Sequence, residues 1–153
     1  MKHLFITIIL ALLMAGCSKA PVRSDVEGFW KLREYTIIST GEKVECSNLY
    51  YSITHMITEV SERNVFNGYG TFLARTEYAD DETVLVLKDF RIRGGIGEDS
   101  EIGTGDNGGK APVESLRHYG INSQEETRFA IVKCSKGWMT LRSDYAELTL
   151  EKF

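Results

Sequence analysis

Three cysteines, three histidines and a glycine-rich acidic run are the residues of this chain with the most obvious chemical potential. Cys17 stands directly behind Leu13-Met14-Ala15-Gly16, at the end of an apolar stretch that opens behind Met1, Lys2 and His3. Its thiolate form is a nucleophile, open to alkylation. Cys46 and Cys134 are the other thiols. In an oxidising compartment they are expected to pair, closing a loop of about 88 residues worth roughly 4–5 kcal/mol of unfolded-state entropy; the alternative is two buried free thiols. No metal is expected, because that spacing is long and His55 and His118 form no ligand pair. Neither histidine lies in a nucleophile motif, so a Ser–His–acid site has no foundation. His55 alternates with Ile53 and Ile57 and is expected to face a core.

The glycine-rich run spans residues 94–109, with seven glycines beside Glu98, Asp99, Glu101 and Asp106. Gly103-Thr104-Gly105-Asp106-Asn107-Gly108 matches a dinucleotide-binding spacing, but no strand leads directly into it and no long amphipathic helix follows. Lys110 is followed by Ala111 and lacks the first glycine of a phosphate loop. Gly94-Gly95-Ile96-Gly97-Glu98-Asp99 matches the front of a calcium-binding nonapeptide, yet it occurs once and has no repeat to stack on. The run therefore reads as a solvated loop, with no cofactor. No enzymatic activity is expected.

The N-terminal apolar stretch, Leu4 to Ala15, would be about 18 Å long as a helix, too short to span a bilayer but suited to a signal h-region. With Cys17 it resembles the bacterial lipobox, Met14 standing where leucine is usual. The resemblance implies a signal peptide over residues 1–16, acyl chains (palmitate among them) on Cys17, and a lipidated tether over 17–25. Two or more chains give stable membrane anchoring. Ser18 follows the cysteine rather than aspartate, which in enteric-type lipoproteins favours the outer membrane of a Gram-negative envelope.

The remaining 137 residues from Cys17 make one domain. The whole chain carries a formal charge of −4; losing Lys2 leaves 17 basic against 22 acidic side chains, or −5. Mild acidity without a basic run argues against a nucleic-acid partner, and none is expected.

Positioning falls to β-strands. Val26 to Ile38 alternates with a phase change between Leu32 and Tyr35 that predicts a bulge. Leu49 to Val60 has apolar residues at helical spacing, but its Tyr, Ile, Thr and Val content favours strand. Gly68–Tyr78 and Thr83–Arg93 form a predicted hairpin around 79–82, the second strand buried on both faces. Pro112 to Tyr119 predicts a short helix with Gly120 at its stop. The meander then resumes, with turns at 135–137 and 142–144. Short, closely spaced strands point to an all-β sandwich or barrel.

Gly28-Phe29-Trp30 on the first strand resembles the Gly-x-Trp opening of lipocalins, and Met139 to Phe153 is similar to the closing hairpin of small lipocalin-like lipoproteins from Gram-negative bacteria. Leu49-Tyr50-Tyr51 and Leu116 with Tyr119-Gly120-Ile121 fit the same pattern. The resemblance implies an antiparallel lipocalin-like β-barrel of seven or eight strands with one short helix, over 26–153. It implies that Trp30 plugs one end under a cation–π contact from Arg142; the plain alternatives are a core tryptophan and an exposed turn arginine. It implies a binding module for a small apolar or amphipathic ligand, lined by inward residues such as Tyr51, Ile53, Phe72 and Leu87. A protein–protein or hydrolase-inhibitor module of the envelope, using the 94–109 loop, is the alternative.

Overall fold

The structure is a computed structural model that describes residues 22–64, 67–94 and 108–153. Eight antiparallel strands run in simple meander order, β1 (Gly28–Ile37), β2 (Lys43–Ile53), β3 (Ile57–Glu62), β4 (Phe72–Ala79), β5 (Val84–Ile92), β6 (Glu126–Ser135), β7 (Trp138–Arg142) and β8 (Ala146–Lys152). β8 pairs back on β1, so the sheet closes and leaves no edge. The expected single-helix, all-β barrel is the observed fold, with helix α1 (Val113–Arg117) in the β5–β6 connection. No helix among the described residues is long and apolar enough to cross a membrane.

Alternation explains the core. Trp30, Leu32, Leu49, Tyr51, Ile53, Leu85, Leu87, Phe129, Met139, Leu141, Leu148 and Leu150 are buried on the inner face. Both pairings of β1 shift register between Leu32 and Glu34, the expected bulge, which carries the inward phase from Leu32 to Tyr35. Val86, between two inward leucines, is also buried, as expected of a strand covered on both faces. Leu49–Val60 resolves into two strands joined at residues 54–56. Its helical spacing of apolar residues comes from strand, turn and strand in succession. Lys43 to Cys46, too polar to stand out in the sequence, extends β2 beyond what alternation signalled.

The strand directions define two ends. One end gathers the N-terminal segment and the β2–β3, β4–β5 and β6–β7 turns; we call it the base. The other, the rim, gathers the β1–β2, β3–β4, β5–β6 and β7–β8 connections. At the base, Val26 and Glu27 donate backbone N–H groups to Arg23 O, folding Val26 inward, and the Trp30 indole Nε1 donates to Val26 O at 2.7 Å. A buried indole thus keeps its N–H satisfied while sealing that end.

Candidate functional site

The rim is covered by the segment that carries α1. Pro112 starts the helix, and Gly120 ends it with φ of 76°. Ile121 N donates to Leu116 O and Gly120 N to Arg117 O, the paired bonds of a Schellman closure, with Leu116 and Ile121 buried together. A side chain at Gly120 would meet Leu148 Cδ1 at 3.0 Å, so glycine is needed for both its backbone and its close approach. This closure drives Tyr119 into the mouth. Tyr119 Oη donates to Gly70 O at 2.5 Å, its carbonyl accepts from Tyr51 Oη at 2.5 Å, and its ring meets Phe72 edge-on at 6.1 Å. Burial raises the phenol pKa of Tyr119 and of Tyr51, and pushes that of neighbouring Tyr35 up to about 12.

Tyr51, Ile53, Phe72 and Leu87 all face inward and are buried. Tyr51 and Phe72 contact the Tyr119 plug directly. The four belong to one packed cluster together with Leu116, Tyr119 and Ile121.

A hollow of about 390 Å³ lies at the rim, lined by Asn122, Ser123, Glu126, Thr127, Arg128 and Asp144. Its cause is a mismatch of strand lengths. β6 pairs with β5 from Glu126 onward, but with the five-residue β7 only from Ala130. Residues 126–129 therefore lack a neighbour on the β7 side, which opens a notch at the rim. Thr127 points inward there and is buried, and its Oγ1 has no hydrogen-bond partner among the described residues. A buried hydroxyl left without a partner costs about 1–3 kcal/mol. Around it, Asn122 Oδ1 accepts from Arg117 Nε, and Ser123 Oγ accepts from the backbone of Glu125 and Glu126. Arg128 lies 3.6 Å from Glu126 and 3.4 Å from Asp80. Asp144 forms no ion pair among the described residues. The lining residues are polar or charged, of mixed sign, and supply both donors and acceptors, with their aliphatic stems also facing the hollow. Nothing in the alternation pattern singled it out, because it depends on where β7 stops.

Several sequence expectations are corrected. The Cys46–Cys134 bridge does not form: both thiols are free. Cys46 sits towards the rim on β2, whereas Cys134 sits at the base, where its Sγ donates to Asp25 O at 3.2 Å. Burial raises both thiol pKa values, that of Cys46 to about 11. The Trp30–Arg142 pair is also absent. β7 runs from Trp138 at the base to Arg142 at the rim, where Arg142 pairs with Glu147 at 3.4 Å. The cation over Trp30 is Lys152, with Nζ 5.1 Å from the ring centroid, because Trp30 and Lys152 are register partners. His55 lies in the β2–β3 turn and is half-exposed instead of facing the core. His118 is exposed at the rim and stacks on Tyr69 at 3.7 Å. The two histidines sit at opposite ends, and no group of three metal-ligating side chains exists among the described residues. Cys17, Gly103 and Gly105 of the dinucleotide-like run, and Asp99, Glu101 and Asp106 lie outside the described residues.

The family model described as a lipocalin-like domain matches residues 12–153. The crystal structure of a lipocalin-like protein from Bacteroides uniformis ATCC 8492 aligns with a TM-score of 0.57 at 14% identity, covering 85% of this chain and 100% of that one. A crystal structure of an uncharacterized protein from Bacteroides eggerthii DSM 20697 aligns equally well, with a TM-score of 0.57 at 15% identity, over 83% and 98% of the two chains. No curated protein matches. The closed eight-strand meander and the near-complete family match agree: this chain belongs to the lipocalin-like domain family.

Proposed function

We propose that this protein is a non-enzymatic binding module, held on the outer membrane of a Gram-negative envelope by acyl chains on Cys17, and that it takes a small polar ligand in the rim hollow. The observation that carries this reading is the Thr127 hydroxyl, unpartnered among the described residues, beside a hollow of about 390 Å³ lined by polar and charged residues, which falls in the size range of ligand pockets. Arg128 suits an anionic or acceptor group and Glu126 and Asp144 a cationic or donor group, so a zwitterion or polyhydroxylated molecule fits the lining. A small apolar ligand on the barrel axis would have to displace Tyr119 and its two hydrogen bonds from space that Tyr51 and Phe72 already share.

Calorimetric titration with amino acids, dipeptides and hexoses, against palmitate as the apolar probe, tests this. Saturable binding from the polar panel, weakened at least tenfold in Asn122→Ala and Asp144→Ala, is the expected result. Saturable palmitate binding with a silent polar panel would replace the polar ligand with an apolar one. The packed core also favours a second reading, an envelope protein–protein module, which predicts silence from every small molecule.

A further inference from the structure

Nine large apolar side chains are exposed among the described residues, and they are not spread evenly. Val22, Phe29, Met56, Ile57, Trp138 and Phe153 lie at the base, only Ile38 and Ile92 at the rim, and Val132 on the wall of β6. Going around the base in strand order, the β6–β7 turn brings Lys136 and Trp138, the end of β8 brings Lys152, β1 brings Phe29, and the β2–β3 turn brings Met56 and Ile57. Backbone bonds stitch the first three together: Lys152 N donates to Gly137 O, and Phe153 N donates to Phe29 O. Phe29 is 52% exposed, Met56 63% and Trp138 43%. The remaining edge, the β4–β5 turn, is Asp80-Asp81-Glu82, all exposed. The base is thus an apolar arc with Lys136 and Lys152 on its β6–β8 side and an acidic turn at the β4–β5 side.

We propose that this arc rests on the lipid–water interface of the membrane that carries the chain, a reading that rests on lipidation of Cys17. The tether argues for that occupant. Val22 N and Arg23 N donate to Glu27 Oε1, and Arg23 Nη1 donates to Glu82 O at 2.5 Å, so the described chain starts at the base. Val22 lies five positions after Cys17, a reach of at most about 18 Å. The barrel wall, ten residues of β1 tilted about 40°, is roughly 25 Å tall. A tether shorter than the wall keeps the base down and the rim hollow facing away from the bilayer. The side chains suit the place. Tryptophan is favoured where an apolar ring meets a wet edge, and lysine stems lie along apolar surface while their ammonium groups meet anionic headgroups. The acidic turn opposes contact on its own side, so the barrel tilts toward the arc.

Tryptophan emission reads this contact, since the chain has two tryptophans and Trp30 is only 1% exposed. The full chain, purified from the membranes of a Gram-negative host, is placed in vesicles of phosphatidylethanolamine and phosphatidylglycerol with and without brominated acyl chains. Acyl mass on Cys17 and flotation are measured on the same sample. The expected result is quenching and a blue shift in the vesicles, both abolished by Trp138→Phe and reduced at least twofold by Phe29→Ser combined with Met56→Ser. An acylated, floating protein whose Trp138 emission is unquenched overturns the docking and leaves the anchor standing. A chain with no acyl mass that does not float overturns both. Dimer mass in detergent with Trp138 already shielded assigns the arc to a second copy and also overturns it.

Discussion

The base and the rim of the barrel are both closed, but by different kinds of contact. At the base the seal is local: Trp30 bonds to Val26, four residues away, and its cation is a register partner on the adjacent strand. At the rim the seal is borrowed from far along the chain. Tyr119 meets Tyr51 across 68 residues and Gly70 across 49, and it sits on a segment outside the strands. Among its described residues that segment has one helix, of five residues, and a few backbone bonds to β5. A cover docked by a few long-range contacts can open without unravelling the sheet, whereas a plug rooted in β1 cannot. The hollow lies at the end that can change.

Breaking the base should cost most. Trp30→Ala removes a fully buried indole and is expected to lower unfolding free energy by about 3–5 kcal/mol, read by denaturant titration. Tyr119→Ala should cost less, roughly 2–3 kcal/mol, because the covering segment can partly collapse onto the vacancy; it should also create binding of an apolar fluorescent dye that the wild type lacks. Equal losses for the two variants would erase the distinction between the ends.

Alkali should loosen the rim first. Tyr35 has a folded pKa of about 12 against an ordinary 10.0, and those of Tyr51 and Tyr119 are raised too, burial being the main cause for all three. An acid whose folded pKa is raised stabilises the fold fully below its unfolded pKa. That stabilisation falls as pH rises above 10.0 and is exhausted once Tyr35 ionises near 12. Phenolate absorbance should therefore rise in step with loss of the rim, and ionisation of these tyrosines at an ordinary pKa in a folded barrel would contradict it.

Smaller effects sharpen the picture. Thr127→Val removes an unpartnered hydroxyl and should stabilise the ligand-free protein by about 0.5–1 kcal/mol while weakening any rim ligand. A destabilised Thr127→Val would mean that the hydroxyl already has a partner. The smallest effect concerns the thiols: adding reductant should leave the melting temperature unchanged, and both Cys46 and Cys134 should alkylate without it, Cys46 slowly because of its raised pKa.

Much of the barrel was legible because strands bury every second residue. Trp30 with Leu32, and Leu85 with Leu87, announce an inner face without any partner being known. The bulge before Tyr35 was legible for the same reason, as a break in that period. Inward placement of Tyr51, Ile53, Phe72 and Leu87 followed from it. What they face did not, because whether a barrel is hollow depends on a segment some 50 residues further along dropping Tyr119 into its mouth.

By itself, the sequence determined strand periodicity, the short helix between Pro112 and Gly120, and the Gly-x-Trp opening, since each is written in neighbouring residues. Only the tertiary structure decided which cation covers Trp30, that Cys46 and Cys134 lie at opposite ends, and that β7 stops short beside Thr127. Those outcomes depend on strand direction and register around a closed sheet, where a residue's neighbours are set by pairing and not by distance along the chain.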